Sequence, residues 1–276
     1  MASKDSKLKN LVVSDHDNTS SENDDDHEKE TGIDLGICLD KRNLGRKKKL
    51  LVIPLGGMII HRAHRHRPAT IPKNRRPDFT FGKFLIYKRA FCEDFLKFCF
   101  ERFEVGLWSS AMEHNIEGVL TKAMGELKSK LLFTWDQKEC TDTGFKCLED
   151  KKRPLFLKEL KYIWQKKYPN LPWRDGEYSS SNTLLITTPV KALLNPPNTS
   201  ISIGDYDPNN KEDDFLGPDG AIRAFLDGLA EAEDVPTYVQ NHPFGEPAIT
   251  PSHPDWNYYD NVIRSLSTKE SNDSKN

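Results

Sequence analysis

Leu50-Leu51-Val52-Ile53-Pro54-Leu55, closed by Gly56-Gly57, is a short continuous apolar run with no polar alternation. Such a run suits a strand buried on both faces, as at the centre of a parallel sheet. Downstream, Phe84-Leu85-Ile86-Tyr87 and Val105-Gly106-Leu107-Trp108 read as further strands. Between them a helix is expected over residues 91–103, with Phe91, Phe95, Leu96, Phe98, Cys99 and Phe103 at helical spacing. Ile116, Val119, Leu120, Ala123 and Leu127 predict a helix over 113–127. A strand at 131–134, a helix over 155–167, strands at 183–187 and 201–203, and an amphipathic helix over 221–232 complete the pattern. This alternation predicts an α/β fold, a sheet with helices on both faces.

The chain has 276 residues, 36% hydrophobic and 30% charged, enough for one large domain or two small ones and unlike a collagen, a coiled coil or a membrane-embedded chain. No apolar run approaches the roughly 18 residues that a bilayer-spanning helix needs, so no membrane role is expected. Forty Lys and Arg against 42 Asp and Glu leave a formal net charge of -2, so the overall field selects no nucleic acid. Cys38, Cys92, Cys99, Cys140 and Cys147 form no Cys-x-x-Cys pair, which suits a reducing compartment. Residues 1–30 carry neither an apolar secretory core nor an acid-poor, Arg-rich leader. Nucleus or cytoplasm is the expected location, rather than the mitochondrion.

Residues 1–46 are polar and acidic, expected to be disordered, and lead into a basic cluster of Lys41, Arg42, Arg46, Lys47, Lys48 and Lys49. That cluster reads either as a nuclear-import or polyanion patch or as a solvated lead-in. Residues 47–232 read as the folded domain, 233–265 as an extension pinned onto it by Trp256, Tyr258 and Tyr259, and 266–276 as a disordered tail. A monomer is expected.

Three stretches carry a family resemblance: KRAFCEDFLKFCFERFEVGLWSSA at 88–111, WDQKECTDTGFKCLEDKKRPLFLKELKYIW at 135–164 and TLLITTPVKALLNPP at 183–197. From about residue 48 to 263 the chain resembles phosphatases of the haloacid dehalogenase superfamily related to the nuclear LIM interactor-interacting factor and the RNA polymerase II C-terminal-domain phosphatases, and a plant branch of them in particular. The resemblance implies a Rossmann-like sheet with a small β insertion. It also implies hydrolysis of phosphomonoesters by an Asp at the end of the first strand, with a second Asp two residues on as acid/base. The matching residues are Pro54 and Gly56, neither of which can attack phosphorus. The family's Asp pair that helps hold Mg²⁺ is matched by Thr187 and Thr188, poor ligands for a hard cation. Losing nucleophile, acid/base and metal ligands together implies that Mg²⁺ and ordinary catalysis are both lost. Ser109, with Ser110 beside it, matches the phosphate-contacting hydroxyl, and Lys158 the charge-stabilising lysine. These remain candidates for phosphate binding. Their structural alternatives are a helix N-cap for Ser109 and a solvated helix charge for Lys158.

His61, His64 and His66 lie among Arg62, Arg65, Arg67, Lys73, Arg75 and Arg76 in a Pro-punctuated stretch that reads as an irregular basic excursion. Its arginines are candidates for docking an acidic or phosphorylated protein segment; a plain solvated loop is the alternative, and convergent His metal ligation is not implied by the spacing. Cys92, Cys99, Cys140 and Cys147 read as small buried hydrophobes. Gly204-Asp205-Tyr206-Asp207 lies one strand too late to match the family's metal loop, and Asp213-Asp214 reads as a surface turn. The expected function is that of a catalytically inactive phosphatase relative, a binding or adaptor protein. The alternatives are an active Mg²⁺-dependent protein phosphatase drawing carboxylates from elsewhere, and an import receptor like the mitochondrial inner-membrane protein of this fold.

Overall fold

A computed structural model describes residues 47–273, the side chains of 270–273 excepted. The acidic N-terminal region, Cys38, Lys41, Arg42 and Arg46 lie outside the described residues. The central sheet is parallel and five-stranded. Its middle strand β1 (Leu50–Ile53) pairs on one edge with β5 (Glu104–Trp108) and on the other with β9 (Thr183–Ile186); β6 (Phe133–Trp135) lies beyond β5 and β10 (Ser200–Ile201) beyond β9. Leu50, Leu51, Val52 and Ile53 all have zero exposure, because both faces are covered. Leu51 and Ile53 face a core that includes residues of α1 (Cys92–Arg102), α2 (Glu117–Met124), α4 (Ala221–Glu231) and α5 (Val235–Asn241). Leu50 and Val52 face Trp108, Trp135, Ile163 of α3 (Lys161–Trp164), and Trp173. The central helices cover both faces as the α/β pattern predicts.

Two small antiparallel units sit beside this sheet. One has the order β2-β4-β3, with β2 (Ile60–His64), β3 (Phe79–Phe81) and β4 (Phe84–Lys88). His61, Arg62 and His64 thus lie on a regular strand rather than in an irregular loop. The other is the hairpin of β7 (Thr141–Lys146) and β8 (Pro154–Leu157). The expected helix over 155–167 is therefore corrected: Leu155 and Leu157 alternate inward at a period of two, and only Lys161–Trp164 is helical. Nor does the chain lose order at 266, because α6 (Trp256–Asp273) runs on. Its Val262 and Leu266 bury against Leu155 and Leu157, and Tyr258 meets Phe145 edge-on at 5.9 Å.

Of the described part of the basic cluster, Lys48 and Lys49 hold helix ends, while Lys47 lies 4.0 Å from the Glu177 carboxylate. Lys49 is 7% exposed and donates from Nζ to Ala230 O and Ala232 O at 3.0 and 2.6 Å, at the C-terminus of α4. Lys48 donates to Phe100 O of α1 at 2.8 Å. Cations there meet unsatisfied carbonyls and the negative end of the helix dipole.

Gly106 of β5 faces the Phe133 ring so closely that a Cβ would overlap it. Gly106→Ala is therefore expected to lower stability by about 1–3 kcal/mol through overpacking, read as a lower urea midpoint with an unchanged slope.

Candidate functional site

All five central strands point their carboxyl ends to one edge, the usual place for a ligand in an open α/β sheet. At the end of β1 the chain turns sharply: Ile59 N and Ile60 N both donate to Leu55 O, at 3.1 and 3.0 Å, and Gly57 N donates to Ile60 O at 2.9 Å. Pro54 costs no ladder bond, since the last β1 pairing is Ile53 with Leu107. Gly57 has φ +81° and takes the Asp205 side chain so close that a Cβ would collide with the carboxylate. Tyr206 N anchors that approach by donating to Gly57 O at 2.8 Å.

Beside this turn, β5 leads directly into Ser109 and Ser110. Ser109 N donates to Trp135 O at 2.9 Å, and Ser109 Oγ accepts from Ala111 N at 3.1 Å. This is a local turn, since the following short helix takes Met112 as its N-cap with no side-chain cap bond. Ser110 Oγ is buried with no hydrogen-bond partner.

Lys158 follows β8 and is neither helical nor solvated. It is 2% exposed and donates from Nζ to Trp108 O at 2.7 Å. Its backbone is stitched to the segment after β9: Lys158 N donates to Lys191 O, and Asn195 Nδ2 to Lys158 O, both at 2.8 Å. Thr187, at the end of β9, is buried and donates its N–H to Ile201 O, while Thr188 is exposed. Thr188 and Thr187 open onto a cleft of about 430 Å³ whose far wall includes Val239 and Phe244.

The edge gathers positive charge. Burial, and next Lys191, push the Lys158 ammonium down to about 7, with Cys140 opposing. Lys191 is itself lowered, first by burial and then by Arg153, with Cys140, Asp205 and Cys147 opposing. Lys191 was missed in the sequence, although it stands four residues past Thr187. The buried carboxylates nearby are engaged. Asp136 Oδ1 accepts from Lys138 N at 2.8 Å to cap a short helix. Glu159 pairs with Lys161 at 2.7 Å and accepts from Thr141 Oγ1 and Tyr162 OH.

Mg²⁺, implied for active relatives, does not fit the side chains that replace its ligands. Pro54, Gly56, Thr187 and Thr188 supply no carboxylate, and among the described residues no three of His, Cys, Asp and Glu converge to hold a metal ion.

The arginine cluster divides. Arg62 lies over the Phe84 ring at 4.4 Å. Arg75 binds Asp78 and Lys88 O at 2.8 Å and also the Tyr206 hydroxyl, so Arg75 serves packing, whereas Arg62 stays exposed above its ring. Arg65, Arg67 and Arg76 are exposed. His66 N donates to His64 Nδ1 at 3.2 Å, a local turn contact. Asp213, expected in a surface turn, instead forms a bidentate pair with Arg89 at 2.7 Å. Among the described residues no helix is long and apolar enough to cross a membrane.

Among curated proteins, an uncharacterized FCP1 homology domain-containing protein of Schizosaccharomyces pombe is 24% identical over 204 residues, 71% of this chain and 78% of that protein. Two solved structures cover 82% of this chain: Fcp1, an essential RNA polymerase II CTD phosphatase, at 13% identity and TM-score 0.35, and a fission yeast Fcp1 variant bound to beryllium fluoride, at 15% and 0.33. The chain spans 64% and 65% of their lengths, under two thirds. The family model of NLI interacting factor-like phosphatases matches residues 49–236, well over half of the chain and every strand of the central sheet, and the chain belongs to that family.

Proposed function

We propose that this chain is a catalytically silent member of its phosphatase family, which binds a phosphorylated or acidic protein segment at the strand-end edge without hydrolysing it. The observation that carries the reading is the placement of buried Lys158 beside Lys191, its backbone N–H donating to Lys191 O and its proton affinity lowered by that second lysine, at an edge where the reactive carboxylates are replaced by Pro54, Gly56, Thr187 and Thr188. An aspartyl-phosphate route needs a carboxylate nucleophile and charge neutralisation by a metal. Capture of an anion needs only donors and cations, which Lys158, Ser109 and Ser110 provide as charge-assisted or neutral hydrogen bonds. Exposed Arg65, Arg67 and Arg76 offer a separate basic surface on the β2-β4-β3 unit for acidic flanks of the same partner. Nucleus or cytoplasm is the proposed setting.

Isothermal titration with a phosphoserine peptide is expected to show saturable binding that Lys158→Met weakens by about tenfold, the loss of one charge-assisted contact. No release of phosphate is expected in the presence of Mg²⁺. Mg²⁺-dependent turnover by the wild-type chain would overturn the reading.

Burying Lys158 also has a consequence for stability. Its folded-state value of about 7 lies below the ordinary 10.5, so the unfolded chain binds the proton more readily between those values and stability rises with pH across that window. Lys158→Met removes the cost. Chemical denaturation is expected to find the variant more stable at pH 7 by on the order of a few kcal/mol, with the gap closing toward pH 10. Inorganic phosphate is expected to narrow the gap at pH 7 by stabilising the wild type more than the weaker-binding variant.

A further inference from the structure

Cys140 stands where the strand-end edge has an excess of donors. It follows the short helix Gln137–Glu139 after β6, and its Sγ lies 3.8 Å from Ser109 O and 3.7 Å from Asp136 O. Beside it are the Trp108 indole N–H and the Ser110 hydroxyl, both directed at the Cys140 sulfur, yet both buried with no acceptor at hydrogen-bond distance. Trp108 has zero exposure. Buried donors without acceptors are rare in folded proteins because each has lost its water. One oxygen atom attached to Cys140 Sγ would give both an acceptor. Lys158 and Lys191 add positive charge on the same thiol.

We propose that Cys140 is an oxidisable thiol, which a hydroperoxide converts to a sulfenic acid that Trp108 Nε1, Ser110 Oγ and Lys158 then hold. In the step, the Cys140 proton passes to the Lys158 amine and the sulfur attacks one peroxide oxygen. An S–O bond forms, the O–O bond breaks, and sulfur is oxidised by two electrons while the peroxide is reduced. With hydrogen peroxide the departing hydroxide recovers the proton from Lys158 and leaves as water. Burial pushes the Cys140 thiol up, and Lys158 leads the influences pulling it down, followed by Trp108, Ser110 and Lys191. Lys158, held near 7 by its own burial, is partly neutral at physiological pH and can take the proton. No phosphate is required, so the proposal stands apart from anion capture.

The other described thiols lack this surrounding. Cys92 and Cys99 are 4% and 0% exposed inside the α1 core, and burial holds the Cys99 thiol far up. Cys147 is half-buried and accepts from Arg153 Nε at 3.3 Å, but that arginine is 62% exposed and open to solvent.

The test treats the full chain with hydrogen peroxide, traps sulfenic acid with dimedone and quantifies each cysteine by peptide mass spectrometry. Cys140 is expected to label at least about tenfold over Cys92, Cys99 and Cys147, because only there do an amine that takes the proton and donors that hold the product oxygen surround the sulfur. Ser110→Ala, which removes a hydroxyl with no partner at hydrogen-bond distance, is expected to shorten the lifetime of the sulfenic acid and shift the product toward sulfinic acid. Lys158→Met is expected to slow labelling of Cys140 alone. Uniform labelling, preference for Cys147, or indifference of Cys140 to both substitutions would overturn the proposal.

Discussion

The architecture depends on β1 having no free edge and no free face. Its residues pair with β5 and β9 and are sealed between an aliphatic layer on one side and a Trp-rich layer on the other. A strand so enclosed cannot tolerate a polar side chain within it, so whatever chemistry the fold performs must sit past its end. Lys49 fixes the opposite end by capping α4, which makes β1 a strut between a helix terminus and the strand-end turn. The turn can then change in composition without endangering the sheet. Pro54 and Gly56 occupy it without breaking a ladder bond.

The same reasoning explains the electrostatics. Where a buried carboxylate normally offsets a buried lysine, the Lys158 ammonium among the described residues has only the Trp108 carbonyl as a hydrogen-bond acceptor, and the other charge pressing on it most strongly is a second lysine. Asp205 approaches the β1 turn from a loop far along the chain and opposes Lys191, but it stays exposed and is a single ligand. An edge with excess donors and cations is arranged to receive an electron-rich group, whether that group arrives on a partner or is built on Cys140.

Much of the fold was legible because the decisive signals are local. Leu50 to Ile53 is apolar without alternation, and α1 and α4 carry their apolar residues at helical spacing. Segment 155–167 was misread because it mixes two periods. Leu155 and Leu157 alternate, Leu160 and Ile163 are three apart, and the partner that turns the first pair into a strand is β7. The candidate site was half legible for the same reason. Ser109 and Lys158 follow from the resemblance, while Lys191 beside Lys158, and Trp108 and Ser110 beside Cys140, are products of tertiary pairing. Asp213 looked like a turn residue because its partner Arg89 is 124 positions away.

The packing of α6 on the β7–β8 hairpin ties the tail of the chain to the site. The hairpin delivers Cys140 just before its first strand and Lys158 just after its second, and Tyr258, Val262 and Leu266 supply much of the apolar cover on its inner face. The C-terminal helix therefore works as a splint, setting the stiffness of a wall whose reactive groups lie more than a hundred residues upstream. Proteolytic trimming or a fusion at this end would act on the thiol and amine at a distance, through the spring constant of the hairpin rather than through any direct touch.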